Sequence, residues 1–184
     1  MAKIEPLAKF ILSFEGGFVN DPKDRGGATN KGVTIGTWRQ QGYDKNGDGR
    51  IDVSDLRLIS DADATEILRR CYWRRCRADE IKDQSIANLL VDWLWISGTP
   101  AVTITQALLG VKADGIMGKN TLAALNRQKP EAFFSRLKAR RKLYYERLVK
   151  SKPSQRRFLN GWLNRLDGIR YGSLVDNRGR EITW

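Results

Sequence analysis

Glu15, followed at once by Gly16 and Gly17, is a carboxylate set where a helix stops and a glycine turn begins. Upstream of it Leu7, Phe10, Ile11 and Phe14 recur at i, i+3, i+4 and i+7, the buried stripe of an amphipathic helix. Glu15 is therefore expected beside the core, at the helix's carboxyl end. An apolar wall and the negative end of the helix dipole both disfavour an ionised carboxylate there. A carboxyl held protonated near neutral pH suits general-acid chemistry. Asp21 and Asp24 follow, brought back toward Glu15 by glycine-permitted turns, and Thr29, Asn30 and Thr34 add hydroxyl and amide groups to the same segment. Two carboxylates across a cleft are the usual equipment for cutting a glycosidic bond: one protonates the leaving oxygen, and the other, or a water it positions, meets the developing cation. The spacing also fits a plain helix end followed by turn formers.

A second constellation runs from Asp44 to Asp55, DKNGDGRIDVSD. Side-chain oxygens of Asp44, Asn46, Asp48 and Asp55 occupy positions 1, 3, 5 and 12, with the Arg50 carbonyl at position 7 and Gly49 at the sharp turn of position 6. This is the spacing of an EF-hand-type calcium loop. It ends on Asp where the usual pattern has Glu, so bidentate ligation at Asp55 is weakened. The bland alternative is a polar Asx-turn loop. The expected ion is a structural Ca2+ that pins the loop, with no cofactor needed for catalysis.

These residues must be positioned by mostly helical elements. Helices are expected over 5–14, about 37–42, from an N-cap at Asp61 through Tyr72 and Trp73, over 84–96 (apolar nearly all round), 101–109, from Lys119, over 131–149 and over 154–166, the last burying Phe158, Trp162 and Leu166. Residues 16–37 suit an irregular loop or short hairpin. The fold class is mostly α, with one small irregular or β insert near the N-terminus. The chain divides into 1–97, which holds the Glu15 segment and the 44–55 loop; 98–170, a helical region expected to pack into the same globule; and a polar tail, 171–184, expected to be loosely ordered. Asp92, among Leu89, Leu90, Val91, Trp93 and Leu94, needs a partner, and a structural ion pair with an Arg is expected. Trp38, Tyr72, Trp73, Trp93 and Trp95 could stack on sugars, though most at helical spacing belong to the core.

Composition narrows the classes. Hydrophobic residues at 41% supply a core and argue against disorder. No apolar run reaches membrane-spanning length, and Met1 to Pro6 shows no signal peptide, so the export route is left open. The absence of His removes Ser-His-Asp and Cys-His catalysis and His-based zinc sites together. Cys71 and Cys76 are roughly 140° apart around a helix and are not expected to pair. A net charge of +12 calls for an anionic partner. Nucleic acid ranks low, because solvated basic helix faces such as 131–149 are common.

The run from Phe14 to Thr34, FEGGFVNDPKDRGGATNKGVT, closely resembles the opening of glycoside hydrolase family 108, lysozyme-like N-acetylmuramidases of which several are labelled secretion activators. The run from Gln106 to Leu122 resembles the predicted peptidoglycan-binding segment that follows in that family. The resemblance covers the chain to about residue 170. It implies a lysozyme-like fold, peptidoglycan as partner and substrate, action at the cell wall in the periplasm or outside the cell, and Glu15 as the catalytic acid cutting the β-1,4 bond between N-acetylmuramic acid and N-acetylglucosamine. Phage-type lysozymes place an Asp nine positions after the Glu and a Thr six further on; Asp24 fits the first, and the second falls on Asn30, so Asp21, Thr29 and Thr34 stay as alternatives. Asn20, Asn30 and Trp38 are the expected sugar contacts, and a monomer is expected. The alternative reading is a non-catalytic module that binds peptidoglycan, or a partner in a calcium-dependent way.

Overall fold

The computed structural model describes residues 1–20 and 27–184, so Asp21 and Asp24 lie outside the described residues. Helix α1 (Glu5–Phe14) starts with Pro6 in its first turn and buries Leu7, Phe10 and Ile11. It ends where Glu15 turns extended, with φ −81° and ψ 132°. Strands β1 (Thr29–Asn30) and β2 (Val33–Thr34) form an antiparallel hairpin in which Thr29 faces Thr34 and Asn30 faces Val33. Its two turn residues, Lys31 and Gly32, have φ 49° and 75°, the left-handed pair that a two-residue hairpin turn requires.

Helices α2 (Ile35–Gln41), α3 (Val53–Arg57) and α4 (Asp61–Leu68) complete the N-terminal lobe. The cap of α4 is Ser60 and not Asp61, because Ser60 with Asp63 makes a reciprocal capping box. A π turn over Arg69–Trp73 continues α4. The expected central helix is α5 (Gln84–Ser97), buried without a break from Ser85 to Leu94. Then come α6 (Pro100–Leu109), α7 (Lys119–Asn126), α8 (Pro130–Ser151), a 3-10 turn (Pro153–Phe158) and α9 (Leu159–Asp167).

The tail differs from expectation. It forms an antiparallel sheet of β3 (Ile169–Arg170), β4 (Ser173–Val175) and β5 (Glu181–Ile182). Ile169 and Leu174 are fully buried, and the Asp176 carboxylate accepts the backbone N–H groups of Arg178 and Arg180, which closes the turn. The last helix also differs: Leu166 is buried, but Phe158 is exposed and Trp162 half-buried.

Two apolar clusters result. The larger gathers α5 with α1, α8, α9 and the C-terminal sheet; the smaller holds Ala28, Val33, Trp38, Leu56, Ile59 and Ile67. Trp95 packs against both, so Glu15, which touches Trp95, lies at their junction. Cys71 and Cys76 are free, and burial pushes the Cys76 thiol up to about 12.

At the centre of the larger cluster Asp92 is 0% exposed. Arg141 Nη2 donates to its Oδ2 at 2.6 Å, and Arg165 Nε and Nη2 donate to its Oδ1 at 3.0 and 2.8 Å. Desolvation pushes this carboxyl up, but the Arg165 and Arg141 guanidiniums outweigh burial and hold it below the usual carboxylate range. The ion pairing expected for Asp92 is thus present. Removing one partner of a buried ion pair strands the other charges. Asp92→Asn is expected to lower unfolding stability by about 3–5 kcal/mol, read from urea denaturation. Because the folded carboxyl is depressed, its contribution is complete above the unfolded value of about 3.9 and is lost as pH falls through the folded value. Wild type should therefore lose stability more steeply than Asp92→Asn on acidification below about pH 4.

Candidate active site

The Glu15 side chain is 18% exposed, and its Oε1 accepts two N–H donors: Trp95 Nε1 at 3.1 Å and Arg165 Nη1 at 3.3 Å. Arg165 lies across the rings of Phe14 and Phe10, its guanidinium carbon 5.1 and 5.7 Å from their centroids. The apolar wall expected at the end of α1 is present, but a cation is set into it. The hairpin turn closes the other side. A Cβ on Gly32 would fall 2.6 Å from both Glu15 Cδ and Trp95 Cζ2, and 2.8 Å from Glu15 Oε2. Only glycine meets both the left-handed backbone and this close approach. Lys31, beside it, reaches α4 through an ion pair with Asp61 at 2.6 Å.

The other expected site residues divide. Thr29 stands half-buried on the hairpin, and Val19 bridges to it through backbone bonds. The Thr34 hydroxyl caps α2 by accepting the Thr37 N–H. Asn20 is exposed. Two expected sugar contacts are corrected. Asn30 is buried, its amide donating to the carbonyls of Leu56 at 2.8 Å and Arg57 at 3.2 Å, so it ties the hairpin to α3. Trp38 is 1% exposed and packed under Gly42 and Tyr43 in the smaller core, with no ring face open to a sugar.

The 44–55 loop is folded on its own hydrogen bonds. Asp44 accepts the N–H groups of Gly47 and Gly49, Asn46 Oδ1 that of Asp48, and Asp48 Oδ1 that of Arg50. Gly47 and Gly49 take φ 80° and 83°, the turn that the motif needs. Asp55 is fully buried and accepts the N–H groups of Lys45, Asn46 and Asp52, which lowers its pKa, the Asp52 bond most and against the pull of desolvation. A carboxylate has about four lone-pair sites, so Asp44, with one N–H on each oxygen, keeps room for a cation, whereas Asp55 already accepts two N–H groups on Oδ1 and has its free site on Oδ2. Among the described residues no three Cys, Asp or Glu side chains already converge as a metal site. The backbone therefore fits the ion, while the side chains would have to turn inward to hold it.

The sequence reading missed Arg165 and Gly32. Arg165 had a signal: it follows Trp162 by three on the inner stripe of α9, and buried Asp92 asked for a cation. Gly32 had a weaker one, the Lys-Gly pair between two short β-prone runs.

A mostly helical two-lobed body, with Glu15 at the end of its first helix and between the lobes, has the architecture of a lysozyme-like fold. Residues 8–98 belong to the family described as Glycosyl hydrolase 108, and residues 100–167 match the Predicted Peptidoglycan domain. Among solved structures, SagA from Brucella abortus is similar at 29% identity and a TM-score of 0.70, covering 89% of this chain and 90% of that one. No curated protein matches significantly. Peptidoglycan is thus the partner, and hydrolysis of its glycan the type of reaction. Arg165, in the second matched segment, completes the surroundings of Glu15 in the first.

Gly32→Ala is expected to cut hydrolysis of purified cell wall at least tenfold and to cost about 1 kcal/mol or more, since strained left-handed backbone and a steric clash coincide. Turnover assays and denaturation of the same preparation measure both.

Proposed function

We propose that the protein is an N-acetylmuramidase that cleaves the β-1,4 bond between N-acetylmuramic acid and N-acetylglucosamine, with Glu15 as general acid. The observation that carries this reading is the placement of Glu15: half-buried at the junction of the two lobes, one oxygen held by Trp95 and Arg165, the other over Gly32. Held in this way, the carboxyl keeps one orientation as the glycosidic oxygen departs, and a fixed donor lowers the barrier without reorganisation. Asp24 is the proposed partner that positions water, with Asp21 and Thr29 as alternatives. Thr34 is the weakest of the set because its hydroxyl already serves as a helix cap. The enzyme acts where peptidoglycan is, in the periplasm or outside the cell, and its positive charge suits an anionic wall.

Glu15→Gln is expected to lower turnover by at least about a hundredfold, the scale of general-acid catalysis. Mass spectrometry of products released from purified peptidoglycan tests both bond and residue. Fragments ending in reducing muramic acid, lost in Glu15→Gln, support the reading; binding without cleavage by wild type would leave the non-catalytic module in its place.

The second proposal is that the 44–55 loop takes Ca2+ through Asp44, Asn46, Asp48, the Arg50 carbonyl and Asp55. Bound there, the ion would offset the acidic cluster and brace α3, which Asn30 links to the hairpin under Glu15. Millimolar calcium is expected to raise the Tm of wild type and to leave Asp44→Asn/Asp48→Asn unchanged, by calorimetry against EDTA. An identical Tm with calcium and with EDTA would sink it.

A further inference from the structure

Helix α9 carries more than Arg165. Phe158, Trp162 and Arg165 stand at i, i+4 and i+7, on one face of the helix and the turn that opens it. Trp162 stacks on Tyr145 of α8, ring centroids 5.1 Å apart and planes 27° apart, and Phe158 continues the series at 5.9 Å and 30°. The column runs from the interior to the surface: Tyr145 is 1% exposed and Phe158 42%. At its inner end Tyr145 Oη accepts from Arg141 Nε at 2.9 Å, and Arg141 holds Asp92, which holds Arg165 against Glu15. Platform and acid are therefore fixed to one buried frame. At its outer end the exposed Arg157 guanidinium lies over the Phe158 ring, its carbon 4.6 Å from the centroid, so a sugar takes that ring face by displacing this side chain.

We infer that this column is a sugar-stacking subsite, in which Phe158 and the open part of Trp162 receive the glycan strand as it runs away from Glu15. The inference rests on the muramidase reading. Pyranose rings present C–H groups on their faces, and those faces pack on aromatic rings, gaining apolar burial and weak C–H contacts. Between Arg165 and Phe158 the helix rises roughly 10 Å, so the platform reaches sugars beyond the one at the cut. Arg157, beside the outer ring, supplies a cation for the carboxylates that muramic acid and its stem peptide carry. An exposed aromatic alone needs no explanation. What selects this one is continuity: the stack is anchored in the frame that fixes the acid and opens on the same face of α9.

The test uses the full chain with Glu15→Gln, which leaves the strand uncut, and short peptide-free strands of alternating N-acetylglucosamine and N-acetylmuramic acid. Titration calorimetry should show Phe158→Ala, added to Glu15→Gln, weakening binding about five- to tenfold, the effect of truncating a contact anchor, and Phe158→Trp retaining it. In the enzyme with Glu15 intact, Phe158→Ala should raise KM for wall and leave kcat within twofold of wild type, and its urea midpoint should stay unchanged. Equal strand binding with and without the Phe158 ring, or no strand binding at all, would overturn the inference. Phe158-dependent binding by a protein whose wild type never cuts wall would keep the platform and remove the muramidase reading; cutting by wild type with an unchanged KM in Phe158→Ala would remove the platform alone.

Discussion

Asp92 puts a full negative charge into the middle of α5, the central buried helix, and much of the architecture answers it. Such a charge is tolerable only when it is paired and fully hydrogen-bonded. Arg141 comes from α8 and Arg165 from α9, so the pairing fixes both helices against α5. Arg165 then has one Nη left to give, and it gives it to Glu15. The orientation of the Glu15 carboxyl is in this way tied to a buried ion set, and disturbance of packing around α5 reaches it through two hydrogen-bonded steps.

The N-terminal lobe approaches the same carboxyl from the opposite side and by a different means. It offers backbone and not charge: the hairpin turn lays Gly32 on Glu15 and Trp95. That turn is held by Asn30, which binds α3, and by the Lys31–Asp61 pair to α4. The lobe's small core, with Trp38 at its centre, serves to hold this turn in place.

Much of this was legible in the residues. The stripe of α1, the unbroken apolar face of α5 and the Glu-Gly-Gly stop locate Glu15 at the end of the first helix, because period and composition act locally. The need of Asp92 for a cation was also legible, but the choice of Arg141 and Arg165 among so many basic residues was not, since it depends on helices distant in sequence. Asn30 and Trp38 misled for a related reason: amides and indoles suit sugar contact and lobe packing equally, and burial decides between them. Phe158 misled in the other direction: it keeps the face of Trp162 and Arg165, but at the end where that face runs out of the core to the surface. The tail looked loose because its strands are only two or three residues long, too short for alternation to show.

The contact of Arg165 with Glu15 has a consequence for inheritance. The two matched segments, 8–98 and 100–167, read as successive modules, yet an atom of the second completes the centre of the first. Recombination that swapped the second segment for an unrelated wall-binding one would leave Glu15 in place and take its guanidinium away. Positions 15, 92, 141 and 165 form one hydrogen-bonded chain that spans both segments, so the pair should travel as a single hereditary unit.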